Sequence, residues 1–298
     1  MNARTLALIA AAIVSIIYGI NYTVAKDVMP VYVKPFGFIF LRVAGGTLVF
    51  WVLGLFVKSE KIDRKDFKTM AIAAFFGVSL NLLTFFKGLS LTTPINASVI
   101  AVISPIMVLI FSSILLKEKL YARKILGVII GLIGAVFLII YGGKIVEGAQ
   151  DVMLGNFLVF INAASFGLYL VLVKKLATKY NPIVFVKWLY LFGLLYVTPF
   201  SIKEALAINW ETMPEVIYYK IGFVIIFTTC ITYLFNLFAL TKLKPTTVSV
   251  FIYLQPVVAT LYAIFVGADT LNVIKIASAG LIFLGVYLVS KQAKKAAK

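Results

Sequence analysis

The sequence predicts an all-α membrane protein: ten transmembrane helices forming a 5+5 inverted-topology repeat, with both termini cytoplasmic. Three observations carry that expectation. Hydrophobic residues make up 62% of the 298-residue chain and mean hydropathy is +1.06, well above the roughly 45–50% apolar usage of soluble domains. The chain divides into apolar runs of membrane-spanning length separated by short polar gaps. The second half repeats the first.

The repeat is readable residue by residue. Lys87-Gly88-Leu89, Thr93-Pro94, Ser104-Pro105, Lys117-Glu118-Lys119-Leu120 and Gly134 return as Phe238-Ala239-Leu240, Lys244-Pro245, Gln255-Pro256, Ala268-Asp269-Thr270-Leu271 and Gly285. Pro94 to Pro245, Pro105 to Pro256, Glu118 to Asp269 and Gly134 to Gly285 are each 151 residues apart, so this stretch is copied without a gap. Tyr18-Gly19 and Lys26 return as Phe166-Gly167 and Lys174 after 148 residues, and Pro35 as Pro182 after 147. The units are residues 1–145 and 146–298, the second closing on a lysine-rich tail.

In order, the first span, 5–25, resembles a secretory leader over Leu6 to Ile20, but it runs on through Ala25 and is copied by the sixth. It is therefore expected as a retained helix. The second, 36–57, carries Arg42; the third and fourth, 69–89 and 93–116, are closely joined. The fifth, 124–141, holds Gly127, Gly131 and Gly134, a spacing that lets helix backbones approach. The sixth and seventh are 153–173 and 183–200, the eighth and ninth 217–240 and 246–266, and the tenth, 272–290, holds Gly280 and Gly285. Hydrocarbon offers no partner to backbone N–H and C=O groups, so each span is expected to be helical. The longest connectors, Lys58 to Lys68, Gly142 to Asp151 and Ser201 to Val216, are too short for a soluble catalytic domain.

Charge sets the orientation. With the N-terminus inside, 19 of the 28 lysines and arginines fall on the cytoplasmic side and 7 on the other, with Arg42 and Lys187 inside spans. The net charge of +17 is thus read as membrane orientation. Nucleic-acid binding would need a basic face on a folded domain, and no nucleic-acid partner is expected. Five spans per unit is an odd number, so the second unit enters the membrane from the opposite side.

Several chemistries are disfavoured. Cys230 is the lone cysteine and histidine is absent, so no disulfide and no usual zinc spacing can be written. No Gly-x-x-x-x-Gly-Lys-Ser/Thr loop supports use of ATP. No Gly-x-Ser-x-Gly elbow or paired membrane aspartates support an intramembrane enzyme, so no catalytic residue, metal or cofactor is expected. All eleven acidic residues are expected in loops, leaving no evident proton relay.

The order of these elements resembles the drug/metabolite transporter superfamily, in particular the ten-helix EamA-type transporters. The matching residues are Tyr18-Gly19-x-Asn21 and Lys26, Leu41-Arg42, Pro105, Lys117-Glu118-Lys119-Leu120, Gly127, Gly131 and Gly134 in the first half. Pro256, Gly267-Ala268-Asp269-Thr270-Leu271, Gly280 and Gly285 match in the second. The chain departs from the family pattern at Tyr18, where tryptophan is usual, and at Asp269, where glutamate is typical. The resemblance implies a 5+5 inverted repeat in the cell (inner) membrane and export or exchange of small metabolites.

Polar residues inside spans are the candidate substrate contacts, each with a packing alternative. Asn21 and Tyr22 lie on the first helix, Asn162 and Tyr169 on the sixth, and Asn81 and Asn236 on the third and eighth. The 151-residue shift carries Asn81 onto Thr232, so the last two are not symmetry mates. Asn96, Ser98 and Ser104 match Thr247, Ser249 and Gln255. Pro94, Pro105, Pro245 and Pro256 are candidate hinges, because proline removes a backbone donor and frees a carbonyl. Matched interruptions in two halves point to a transporter's site; the alternative is a simple kink. Phe85, Tyr233 and Tyr253 can supply aromatic walls. Arg42 either snorkels to the surface or meets an anion, whereas Lys26 and Lys174 are expected to anchor and Lys87 and Lys187 to reach headgroups.

The expected function is movement by alternating access of a neutral, zwitterionic or anionic metabolite, amino acid-like or drug-like. The alternatives are a phosphorylated-metabolite or nucleotide-sugar-type antiporter using intramembrane cations, or a channel-like facilitator. The expected partners are that small molecule and the lipid bilayer, with monomer and homodimer both open.

Overall fold

The computed structural model describes residues 3–58, 60–116, 122–141, 151–243 and 245–290. Among them every regular element is helical. The first half comprises α1 (Ala3–Val28), α2 (Pro35–Leu55), α3 (Arg64–Ala74), a π-helical turn (Phe75–Leu80), α4 (Asn81–Leu91), α5 (Pro94–Ala101), α6 (Ser104–Leu116) and α7 (Ala122–Tyr141). The second comprises α8 (Val152–Lys179), α9 (Pro182–Leu206), α10 (Glu215–Ile225), a π-helical turn (Ile226–Ile231), α11 (Thr232–Lys242), α12 (Pro245–Val250), a 3₁₀ turn (Phe251–Tyr253), α13 (Leu254–Phe265) and α14 (Val273–Ser290).

Among the described residues, seven helical rods are long and apolar enough to cross a bilayer, Arg64–Leu91, Pro94–Leu115 and Glu215–Lys242 being composite. Ile125–Leu138, Phe251–Phe265 and Val273–Gly285 are apolar but shorter, where the sequence leads one to expect the fifth, ninth and tenth spans. Both π turns, and the starts of α3 and α10, α4 and α11, and α5 and α12, are 151 residues apart. The 151-residue spacing read from side chains is thus also the spacing of these element boundaries, including two turns that read as ordinary helix in the sequence.

Prolines begin helices more often than they break them. Pro35, Pro94 and Pro182 sit at first helical positions, where the missing N–H has no partner to lose. Thr93 Oγ1 accepts from Asn96 N at 3.2 Å and Asn181 Oδ1 from Ile183 N at 2.9 Å, capping two of these starts. Pro94 and Pro245 thus start α5 and α12, and do not hinge a continuous helix. The breaks lie beside Pro105 and Pro256: α5 stops at Ala101 and α6 resumes at Ser104, and the 3₁₀ turn Phe251–Tyr253 separates α12 from α13.

Packing interleaves the halves. α2 lies on α9, α7 on α14, α4 and α6 on α8, and α1 on α11 and α13. Gly127, Gly131 and Gly134 of the fifth expected span and Gly285 of the tenth serve the α7–α14 contact, whereas Gly280 does not. A methyl on Gly285 would stand 2.5 Å from both Gly127 O and Gly131 N, so only hydrogen fits there. Close packing at these glycines is thus between α7 of the first half and α14 of the second.

The acidic residues correct one expectation. Asp27, Asp66, Glu204 and Glu215 lie in terminal turns of helices rather than in loops. Several satisfy helix N-termini, where N–H groups lack partners and the dipole favours negative charge. Glu204, ending α9, accepts from Phe36 N at 2.8 Å and Gly37 N at 3.0 Å, at the start of α2. Asp269 accepts from Ile95 N of α5 at 3.1 Å. Its counterpart Glu118 lies outside the described residues, as do Lys117, Lys119, Lys244 and the lysine-rich tail.

Candidate functional site

Where the halves meet, a cavity of about 560 Å³, counting the space at its mouth, is walled by both. α1 contributes Tyr18, Asn21 and Tyr22, and α2 contributes Arg42. α4 adds Asn81, Leu82 and Phe85, while Ala101 and Ser104 flank the α5–α6 break. The second half supplies Asn162 and Phe166 from α8, Tyr233 from α11, and Ile252 and Gln255 from the α12–α13 break.

The repeated aromatic-glycine pair builds opposite walls in one way. Tyr18 and Phe166 face the cavity, and the following glycine lets each helix press on a broken rod of the other half. A methyl on Gly19 would lie 2.6 Å from Val258 Cβ and 3.2 Å from Gln255 O; one on Gly167 would lie 2.8 Å from Met107 Cβ and 3.2 Å from Ser104 O. Ser104 and Gln255 are the matched residues of the two breaks, so one sequence device seats both sides.

Polar groups of the wall are mostly held in cross-half bonds. Tyr22 OH donates to Gln255 Oε1 at 3.0 Å. Asn81 Nδ2 donates to Asn162 O at 3.2 Å, and Asn162 Nδ2 to Asn81 O at 2.9 Å. Each π turn leaves carbonyls without the usual helical donor, and side chains from elsewhere supply one. Ser165 Oγ donates to Phe76 O and Tyr233 OH to Gly77 O, both at 2.6 Å. In the second turn, Arg42 Nη2 donates to Thr228 O at 3.0 Å and Nε to Thr229 Oγ1 at 2.7 Å. Arg42 is 2% exposed, its guanidinium carbon 5.5 Å from the Phe86 ring centroid. It turns inward rather than snorkelling.

Asn21, Tyr22, Arg42, Asn81, Phe85, Ser104, Asn162, Tyr233 and Gln255 are thus brought together. Other candidates stand apart. Asn96 and Ser98 are buried on α5, Asn96 Nδ2 donating to Thr92 Oγ1 at 3.4 Å and Ser98 Oγ to Ile95 O at 2.8 Å. Both lie outside the cavity lining because the break after Ala101 separates α5 from Ser104. Tyr169 packs its ring on Gly77, where a methyl would be 2.1 Å from Cδ2. Asn236 lines a smaller adjoining pocket with Ser15 and Val248. Thr247 is half-buried on α12 away from the lining, Tyr253 packs on Phe283 at 6.3 Å between centroids, and the Ser249 side chain lies outside the described residues.

The lysines also differ from expectation. Lys26 does not anchor in headgroups: its Nζ donates to Leu89 O at 2.9 Å and Ser90 O at 2.8 Å, in the last turn of α4. Lys174 Nζ donates to Leu240 O at 2.6 Å and Leu243 O at 3.0 Å, at the end of α11. Each repeat-related lysine caps the orphan carbonyls of its own half's third rod, where a cation is favoured. Lys187 lies 5.2 Å from the Trp51 centroid and Lys87 is half-buried. Sequence reasoning missed Tyr18, Phe166, Leu82, Ala101 and Ile252. Tyr18 and Phe166 were signalled by their place in the repeat.

Comparison with known proteins agrees with this architecture. The profile of the EamA-like transporter family matches residues 5–140 and again 153–291. The chain is 28% identical over 284 residues to an uncharacterized transporter of Archaeoglobus fulgidus, covering 95% of this chain and 98% of that one. It is 23% identical over 278 residues to the uncharacterized transporter YyaM of Bacillus subtilis, covering 93% and 90%. A solved crystal structure superposes with a TM-score of 0.66 at 18% identity over 96% of this chain and 98% of that one, a likeness of fold. The chain belongs to the EamA-like transporter family and is a multi-pass membrane transporter.

Proposed function

We propose that the protein is a secondary transporter moving a small organic metabolite across the cell membrane by alternating access. In this reading ten spans form two five-span halves of opposite orientation, with both chain ends cytoplasmic. The observation that carries it is a cavity walled by equivalent residues of both halves: Tyr18 with Phe166, and Ser104 with Gln255. Inverted halves can exchange conformations, opening one shared site to each face in turn. The phosphorylated-metabolite alternative calls for several cations, and Arg42 is the only lysine or arginine in the lining among the described residues. The test is counterflow in proteoliposomes loaded with a panel of neutral, zwitterionic and anionic metabolites. Saturable exchange of one class supports a carrier; no flux of any class, or conductance at channel rates, overturns it.

The lysine caps supply a second test. If the halves are inverted, Lys26 and Lys174 secure rods at opposite membrane faces. In a Cys230→Ala background, a cysteine at Ser104 should react faster with an impermeant thiol reagent from one face in Lys26→Met and from the other in Lys174→Met. Faster reaction from the same face in both would contradict opposed halves.

A further inference from the structure

We propose that the cavity takes an organic monoanion, a single carboxylate on an aromatic or apolar body, with Arg42 as its seat. This deepens the transport reading and rests on it. Arg42 is 2% exposed and lines the cavity, yet both of its hydrogen-bond acceptors, Thr229 Oγ1 and Thr228 O, are uncharged. They orient the guanidinium without neutralising it, and Nη1 has no hydrogen-bond partner among the described residues. Among the described residues, no aspartate or glutamate lines the cavity. A cation held this way is expensive, of order several kcal/mol, until a counter-charge arrives.

The rest of the wall selects what carries that counter-charge. Asn21 lines the cavity 2% exposed, its Oδ1 buried without a hydrogen-bond partner, an acceptor for an N–H or O–H on the ligand's body rather than for its carboxylate. Phe85, Phe166 and Tyr233 offer aromatic surface. A free ammonium would be repelled by Arg42 and would find only neutral acceptors, so a monoanion balances this cavity and a cation does not. The charge also breaks the repeat: the 147-residue shift that carries Pro35 to Pro182 carries Arg42 to Leu189, so one carboxylate seat is built rather than two. Phe86 backs the guanidinium at 5.5 Å, and Phe38 and Phe85 pack edge-on against Phe86 with centroids 5.2 and 5.3 Å away.

The test is calorimetric titration of the full chain in nanodiscs with benzoate, cinnamate and indole-3-acetate, each against its neutral amide, and with benzylamine. At least one acid should bind about tenfold or more tighter than its amide, a difference of about 1.4 kcal/mol, and benzylamine should bind more weakly still. Arg42→Gln should bring the acid-to-amide affinity ratio to about one, and Arg42→Lys should restore part of it. If Arg42→Gln does not fold, the wild-type ranking decides alone. Amides binding as tightly as acids, or no binding by any of the three acids, overturns the inference. Counterflow of neutral metabolites in that case leaves the carrier reading standing, whereas absence of all flux removes the reading itself.

Discussion

Lys275→Met is expected to destabilise the protein by about 3–5 kcal/mol, the range for breaking a buried pair from one side. Lys275 Nζ lies 2.6 Å from Asp269 Oδ1, with the two side chains 1% and 5% exposed. The same ammonium donates to Thr270 O at 2.8 Å, and Asp269 Oδ2 accepts from Ile95 N at 3.1 Å. The pair therefore locks the α13–α14 connection onto the start of α5, joining the second half to the first. Removing the ammonium leaves a buried carboxylate with two backbone donors, Ile95 N at 3.1 Å and Thr270 N at 2.7 Å, and no counter-charge in contact. Asp269→Asn should cost a comparable amount by stranding Lys275. The double variant Asp269→Asn/Lys275→Met should recover most of the loss, since the attraction between buried charges only roughly repays their desolvation. Thermal unfolding in detergent, read as Tm for all three, checks this. A loss below about 1 kcal/mol in either single variant would mean the pair is solvated in practice.

Gly285→Val carries the second large effect. The first added carbon already meets backbone atoms, Gly127 O and Gly131 N at 2.5 Å, and backbone cannot rotate aside as a side chain does. Overpacking of this kind costs typically about 1–3 kcal/mol, and more where nothing can yield. Two helices must separate for the side chain to enter, and α7–α14 is a contact between the halves. The expected result is a fall in monodisperse yield on size exclusion and a lowered Tm. Gly280→Ala should change neither, because nothing lies within 4 Å of a methyl there. A comparable fall in Gly280→Ala would show that close approach to backbone does not govern the effect, because helix propensity alone would favour alanine over glycine.

Particular residues show how far the sequence reaches. The breaks beside Pro105 and Pro256, the 151-residue repeat and the aromatic-glycine pairs were all legible, because each depends on local chemistry or on self-comparison. Asn96 and Ser98 were not separable from Ser104. α5 is buried on every side, so its apolar pattern holds no record of which face meets the cavity. The π turns were equally invisible: Phe75–Leu80 and Ile226–Ile231 read as ordinary apolar helix, and their freed carbonyls are satisfied by Ser165, Tyr233 and Arg42 from distant segments. Lys275 looked like one more flanking lysine, and only the fold brings Asp269 and the start of α5 to it.

Composition and hydropathy settled unaided that this is a helical membrane protein. Those properties depend on each segment's own exchange of water for lipid. Which side chains line the shared cavity, and how Arg42 is held beside it, were decided by packing between residues more than a hundred positions apart. Lipid and protein interior are both apolar, so a membrane helix carries little sequence contrast between the face it shows to one and the face it shows to the other.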